Sequence, residues 1–187
     1  MTKRVFIIHG WGGSPESGWK PWLATQLKKR GFKVHNLAMP DTDSPNVRAW
    51  VVYLAKNIGK PDKNTILVGH SLGCPTILRY LESVKNGNMI GGAVLVAGPA
   101  DDTKWYPEIS PFLIPFKWNT IRLRCMKFIA IYSDDDYWVP LQHGGIIRFR
   151  LGAQLIIKHG MKHFSGDDGC RMLPVVLEAI LSIMKKQ

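Results

Sequence analysis

Three short stretches of this sequence carry residues that could together break an acyl bond. The first is Gly69-His70-Ser71-Leu72-Gly73. A serine hydroxyl is a poor nucleophile at neutral pH. It needs a neighbouring base, and the base needs a third group to hold its tautomer. Two histidines compete for the role of base in the stretch from His159 to His163. His163 lies inside a glycine-flanked loop, whereas His159 sits at a strand end, so His163 is better placed to reach back to Ser71. The acid candidates are Asp134, Asp135 and Asp136, an unusual run because adjacent carboxylates repel. The chemistry alone does not choose among the three. Serine, aspartate and histidine in that chain order is the order used by hydrolases that present serine on a sharp strand-to-helix turn.

Such a serine needs a strand before it and a helix after it. Ile66, Leu67 and Val68 form a continuous apolar run, as a strand buried on both faces requires. After Pro75, Ile77, Leu78, Leu81 and Val84 repeat at helical spacing. Gly69 and Gly73 lack a Cβ, which lets strand and helix approach closely. Ser71 is then forced into a left-handed conformation that costs about 1–3 kcal/mol. Its oxygen sits at a helix N-terminus, where free N–H groups favour developing negative charge.

The same reading applied along the chain predicts strands over 5–8, 33–37, 65–68, 92–96, 127–132 and 153–158. Helices are predicted over 19–30, 47–58, 75–85, 140–150 and 171–186. Gly144-Gly145 weakens the fourth of these and predicts an irregular crossover. Strands alternating with helices imply one α/β domain over residues 1–187, with a mostly parallel six-stranded sheet between two helical layers. Ligands bind at the C-terminal ends of such strands, and every stretch named above falls at such an end.

Composition narrows the function classes. Of 187 residues, 45% are hydrophobic, an ordinary value for a globular chain. The formal net charge of +11 is spread over scattered cations, without a long basic run or an RNA-binding aromatic signature. A solvated basic surface is therefore expected, with no nucleic-acid partner. No apolar run approaches a membrane span, so no membrane partner is expected. Three cysteines fit a reducing, cytoplasmic setting, with Cys74 as a small packing residue. His159-x-x-x-His163 has zinc-ligand spacing but lacks the accompanying glutamate, and no phosphate-cradling loop accompanies the three aspartates. Neither a metal nor another cofactor is expected.

The chain resembles the α/β-hydrolase superfamily, and within it the small serine hydrolases that include the retinoblastoma-binding serine hydrolase and bacterial esterase-like relatives. The resemblance is carried by Ile7-Ile8-His9-Gly10, Trp19-Lys20-Pro21-Trp22-Leu23, Met39-Pro40 and Gly69-His70-Ser71-Leu72-Gly73-Cys74-Pro75. It continues through Asp136-Tyr137-Trp138-Val139-Pro140 and Gly160-Met161-Lys162-His163-Phe164. It covers nearly the whole chain and implies an α/β-hydrolase fold without a large cap domain. It implies Asp136 as the acid and His163 as the base. It places the oxyanion donors on the Trp11 and Leu72 N–H groups. The family's Leu-x-Cys-x-Glu partner motif has its nearest match in Leu123-Arg124-Cys125-Met126-Lys127, which ends in the wrong charge, so that partner is not carried over.

The activity implied is a serine esterase acting on small acyl esters. A thioesterase or small-amide hydrolase with the same triad is the enzymatic alternative, and a non-catalytic binding protein the alternative of another class. Residues 100–124 form an aromatic excursion broken by three prolines. Trp105, Phe112, Phe116 and Trp118 are expected either to line an acyl pocket with Trp138 or to pack over the sheet. The oligomeric state is left open.

Overall fold

The computed structural model describes residues 2–101 and 107–185. Six apolar runs become six strands: β1 (Arg4–Ile8), β2 (Lys33–Leu37), β3 (Thr65–His70), β4 (Gly92–Val96), β5 (Phe128–Ser133) and β6 (Gln154–Lys158). They form one sheet in the order β2-β1-β3-β4-β5-β6, and every neighbouring pair is parallel. The parallel ladder follows from the helices between the strands, which return the chain to the same end each time. They are α1 (Lys20–Lys28), α2 (Val47–Ile58), α3 (Gly73–Ser83), α4 (Ser110–Leu113), α5 (Trp118–Arg122), α6 (Gln142–Leu151) and the terminal α7 (Pro174–Lys185).

The strands alternate strictly in side-chain direction, so the sheet buries two separate cores. Val5, Ile7, Ile66, Val68, Val94, Val96, Ile129 and Ile131 face Leu23 and Leu27 of α1 and Val176 and Ile180 of α7. Phe6, Ile8, Leu67, Leu95, Ala130 and Tyr132 face α2, α3 and α6 through Trp50, Leu54, Ile77, Leu81 and Ile147. The result is the three-layer α/β-hydrolase fold, with no large cap among the described residues. Among those residues no helix is long and apolar enough to cross a membrane. Because β1 sits between β2 and β3, the winding direction reverses at the β1–β3 boundary. The loops after these two strands diverge there and leave a crevice, which is where open α/β sheets bind ligands.

One expectation is corrected, and one alternative is decided for the described residues. The crossover after β5 is a regular helix, α6, despite Gly144-Gly145. Gly144 faces inward, and a Cβ there would lie 2.9 Å from both the Tyr132 ring and Leu155 Cδ1. The glycine is a packing requirement of the helix, not a break in it. The aromatic excursion packs onto the α2–α3–α6 side. Phe112 is fully buried and meets Trp50 edge-on at 5.8 Å. Phe116 lies under the Arg79 guanidinium at 4.1 Å and beside Trp118 at 4.8 Å. Trp105 lies outside the described residues.

The two adjacent glycines should respond oppositely to alanine. Gly144→Ala should destabilise by roughly 1–3 kcal/mol through overpacking against Tyr132. Gly145 has nothing within 4 Å of an added Cβ, so Gly145→Ala should stabilise by about 0.5–1 kcal/mol. Urea denaturation of both variants checks the pair; equal and opposite-to-expected shifts would refute the packing account of α6.

Candidate active site

The turn from β3 into α3 is built by exclusion. Ser71 has φ +52°, a left-handed value that a side chain rarely adopts. A Cβ on Gly69 would lie 2.8 Å from the Gly73 carbonyl, and a Cβ on Gly73 would lie 2.4 Å from the Ile8 carbonyl oxygen at the end of β1. Neither contact is tolerable, so both glycines are required for the chain to reverse against β1. A Cβ on Gly10 would lie 2.9 Å from Ser71 Cβ and 3.3 Å from Oγ, so this glycine keeps the flank of the Ser71 side chain open. The Ser71 N–H still donates to the Val96 carbonyl at 2.9 Å, which ties the strained residue to β4. Cys74 is buried beneath the turn, and burial pushes its thiol well above the ordinary range. It is a packing residue.

The loop after β1 is held by His9, a residue whose part was not apparent in the sequence. Its Nε2 accepts the Met39 N–H at 3.0 Å, so the ring proton is on Nδ1, which donates to the Gly10 carbonyl at 2.7 Å. Burial lowers the His9 pKa and keeps this ring neutral. The Gly10–Trp11 peptide is planar and trans, so a carbonyl turned to His9 sends the Trp11 N–H the opposite way. Among the described residues neither the Trp11 nor the Leu72 N–H has a hydrogen-bond partner.

The loops after β5 and β6 are joined residue by residue. His159 donates to Asp134 at 2.5 Å, and Asp134 also accepts the Gly160 N–H at 3.0 Å. The His159 hydrogen bond holds the Asp134 carboxyl below its usual range. Ser133 Oγ accepts the Met161 N–H at 3.0 Å and donates to Asp135, which accepts the Lys162 N–H at 2.8 Å. Asp136 then meets His163, with Nδ1 at 2.9 Å from Oδ2. A carboxylate oxygen here accepts, so Nδ1 carries the proton and Nε2 is the free, basic nitrogen. The Asp136 side chain is fully buried, and its Oδ1 also accepts the Trp138 and Val139 N–H groups at 2.8 and 2.9 Å. His159 is 85% exposed and occupied by a different aspartate, so the two histidines do not converge on a common point.

His163 itself is clamped from behind. His70 Nε2–H donates to the His163 carbonyl at 2.8 Å, and Trp19 Nε1–H donates to the Phe164 carbonyl at 3.1 Å. Asp168 accepts the His163 and Ser165 N–H groups, each at 3.1 Å. Lys162 and Phe164, on either side of His163, have φ +49° and +54°. These outliers are held by the same hydrogen bonds that orient the ring. The part that His70, Trp19 and Asp168 play was missed by sequence reasoning; the presence of His70 and Trp19 in the stretches that carry the family resemblance was the available signal.

Ser71, His163, Trp11 and Leu72 open onto one cavity of about 700 Å³. Trp138 lines it, with Pro107 and Ile109 supplying the wall on the excursion side. Phe112, Phe116 and Trp118 do not. Phe112 is sealed in the core, and Phe116 and Trp118 line a separate cavity of about 830 Å³ beside α6. The short helices of the excursion turn these aromatic rings toward α2, α3 and α6, away from the serine.

A profile of the family described as serine hydrolase matches residues 5–182. The Bacillus subtilis protein YdeN is 34% identical over 189 residues, covering 100% of this chain and 99% of that protein. The serine hydrolase RBBP9 of Rattus norvegicus is 26% identical over 179 residues and covers 94% of each chain. The crystal structure of the B. subtilis ydeN product superposes with a TM-score of 0.94 at 32% identity, over 98% of this chain and 100% of that one. With the elbow, its glycines and the His163–Asp136 pair in place, the chain belongs to the serine hydrolase family.

Proposed function

We propose that this protein is a carboxylesterase-like hydrolase that cleaves small acyl esters through Ser71, His163 and Asp136. The observation that carries this reading is His163, held between a fully buried Asp136 and the cavity onto which Ser71 opens. Ser71 Oγ attacks the acyl carbon while His163 Nε2 takes its proton. The carbonyl oxygen gains negative charge and is received by the Trp11 and Leu72 N–H groups. Collapse expels the alcohol, to which His163 returns the proton, and leaves an acyl-serine. Water then repeats the sequence, giving a carboxylic acid and free Ser71. Asp136 stays an acceptor throughout and stabilises the imidazolium.

Ser71→Ala should lower ester turnover by roughly 10⁴–10⁶ and abolish labelling by a fluorophosphonate. Asp136→Asn should cost about 10⁴ in kcat, whereas Asp134→Asn, which touches only the exposed His159 and a loop N–H, should stay within about threefold. Equal losses in the two aspartate variants would refute the assignment of the acid. Among acyl chains, kcat/KM should rise from acetyl to butyryl, as each buried methylene contributes about 0.8 kcal/mol until the cavity is filled. Trp138→Ala should move that optimum to longer chains; Trp118→Ala should not.

Stability should also depend on pH. Burial lowers the pKa of His9, His70 and His143 from the ordinary value of about 6.5. Below that pH the unfolded chain takes up protons that these sites refuse in the folded state. Stability therefore falls as pH drops, by at most about 1.4 kcal/mol per pH unit for each group. Urea midpoints at about pH 7.5 and about pH 5.5 measure this; an unchanged midpoint would refute it.

A further inference from the structure

Lys20 opens α1 and is 3% exposed, the one buried lysine or arginine among the described residues. Its amine lies 5.6 Å from the centre of the Trp19 ring. Among the described residues it has no carboxylate within ion-pair distance and no hydrogen-bond partner. Nor is the amine sealed in. Asn36 Oδ1 is the partnerless buried side-chain polar atom among those residues, and Lys20 lines the cavity that holds Ser71. An ammonium that leaves bulk water without gaining a partner costs stability. Burial accordingly pushes its pKa down to about 8. The Trp19 ring is the one partner the described residues give this charge, and it leaves the three N–H donors without an acceptor.

The surroundings of the amine indicate what would accept from it. Lys20 lines the same cavity wall as Gly10 and Trp11 of the loop after β1 and His70, Ser71 and Leu72 of the serine turn. The N-terminal end of α1 adds positive potential at the same wall. Arg171 is an exposed cation at the cavity mouth, and Glu108 and Asp167 are exposed at its rim, beyond ion-pair distance of Lys20. Cys170 is the other ionisable group whose charge reaches the amine. The missing partner is thus an anion small enough to enter beside Ser71.

We propose that Lys20 anchors a carboxylate on the substrate, so that the preferred esters carry a free carboxylate within reach of the scissile bond. This rests on the reading of Ser71 as the nucleophile. It deepens that reading by naming a substrate class: half-esters of small dicarboxylic acids, or acyl esters of small hydroxy acids. A charge-assisted contact to a lysine that is 3% exposed distinguishes such an ester from its neutral counterpart far more than a surface lysine could.

The test is a ratio measured within each protein. Glutarate half-esters are compared with their methyl-capped diesters, and acetyl esters of a hydroxy acid with the corresponding methyl esters. In the wild type, kcat/KM for the anionic member of at least one series should exceed the neutral member about ten- to a hundredfold. Lys20→Met should bring that ratio to about one, and Lys20→Arg should keep part of it. Lys20→Met removes a buried charge, so its urea midpoint should equal or exceed that of the wild type. In the wild type the ratio should fall as pH rises through about 8, because only the protonated amine attracts the carboxylate. His163 serves both esters alike and cancels from the ratio. A ratio at or below one in both series, or one that Lys20→Met leaves intact, overturns the proposal. So does loss of neutral and anionic turnover together, which would put Lys20 in the chemistry itself. A separate arm does not depend on turnover. Calorimetry of monomethyl glutarate binding to Ser71→Ala should show at least tenfold weaker affinity once Lys20→Met is added. If the wild type cleaves no ester, the esterase reading fails. The anchor then stands or falls by this binding difference, and equal affinities overturn it.

Discussion

The close approach of the β3–α3 turn to the end of β1 is the constraint on which the site depends. Gly73 lies so near the Ile8 carbonyl that any side chain there would overlap it, and Gly69 is similarly pressed against Gly73. This contact compresses the turn and drives Ser71 to φ +52°. A residue held in that region costs about 1–3 kcal/mol and survives only where its surroundings over-determine it. The Ser71 N–H bond to Val96 and the buried helix that follows provide that determination. The same contact brings the loop after β1 beside the serine, so that loop and the elbow are positioned by one packing event.

The histidine side of the site uses a different physics. Three consecutive aspartates would repel one another in open solution. Here each accepts hydrogen bonds from the loop after β6: Asp134 from His159 and Gly160, Asp135 from Lys162, Asp136 from His163. The repulsion is offset by satisfying N–H groups that the irregular loop would otherwise leave unpaired. The charge run is therefore a device for registering one loop on another, and it delivers the His163 ring at its last position. His70 and Trp19 complete the hold from the opposite side through the carbonyls of His163 and Phe164. Two loops of unremarkable composition are registered on each other by these side-chain hydrogen bonds.

Against this well-satisfied background Lys20 stands apart. The site's other buried polar groups, His9, His70 and His163, have partners that orient them, whereas the Lys20 ammonium has none among the described residues. Groups that burden the fold without serving it concentrate where a ligand completes them. The other lysines and arginines described lie at least partly in solvent, whereas this one cation lines the interior of the cavity.

By itself the sequence determined the elements and the position of the turn. Continuous apolar runs such as Ile66-Leu67-Val68 had to be buried strands, and glycines on both sides of Ser71 had to mark a close approach, because both follow from local sterics and hydrophobic burial. Three matters were decided by tertiary structure. Gly144 read as a helix breaker, yet it is what lets α6 lie on Tyr132, since the clash it avoids involves a residue distant in the chain. Phe112, Phe116 and Trp118 read as pocket candidates, yet they face α2, α3 and α6, since the excursion has no clean period from which a direction could be drawn. Trp19, Lys20 and His70 lie in stretches that carry the family resemblance, yet the clamp that Trp19, His70 and Asp168 form on His163, and the burial of Lys20, could not be read from those stretches. Hydrogen bonding and burial between elements far apart in the chain depend on where the sheet brings them together, and local pattern carries no record of that distance.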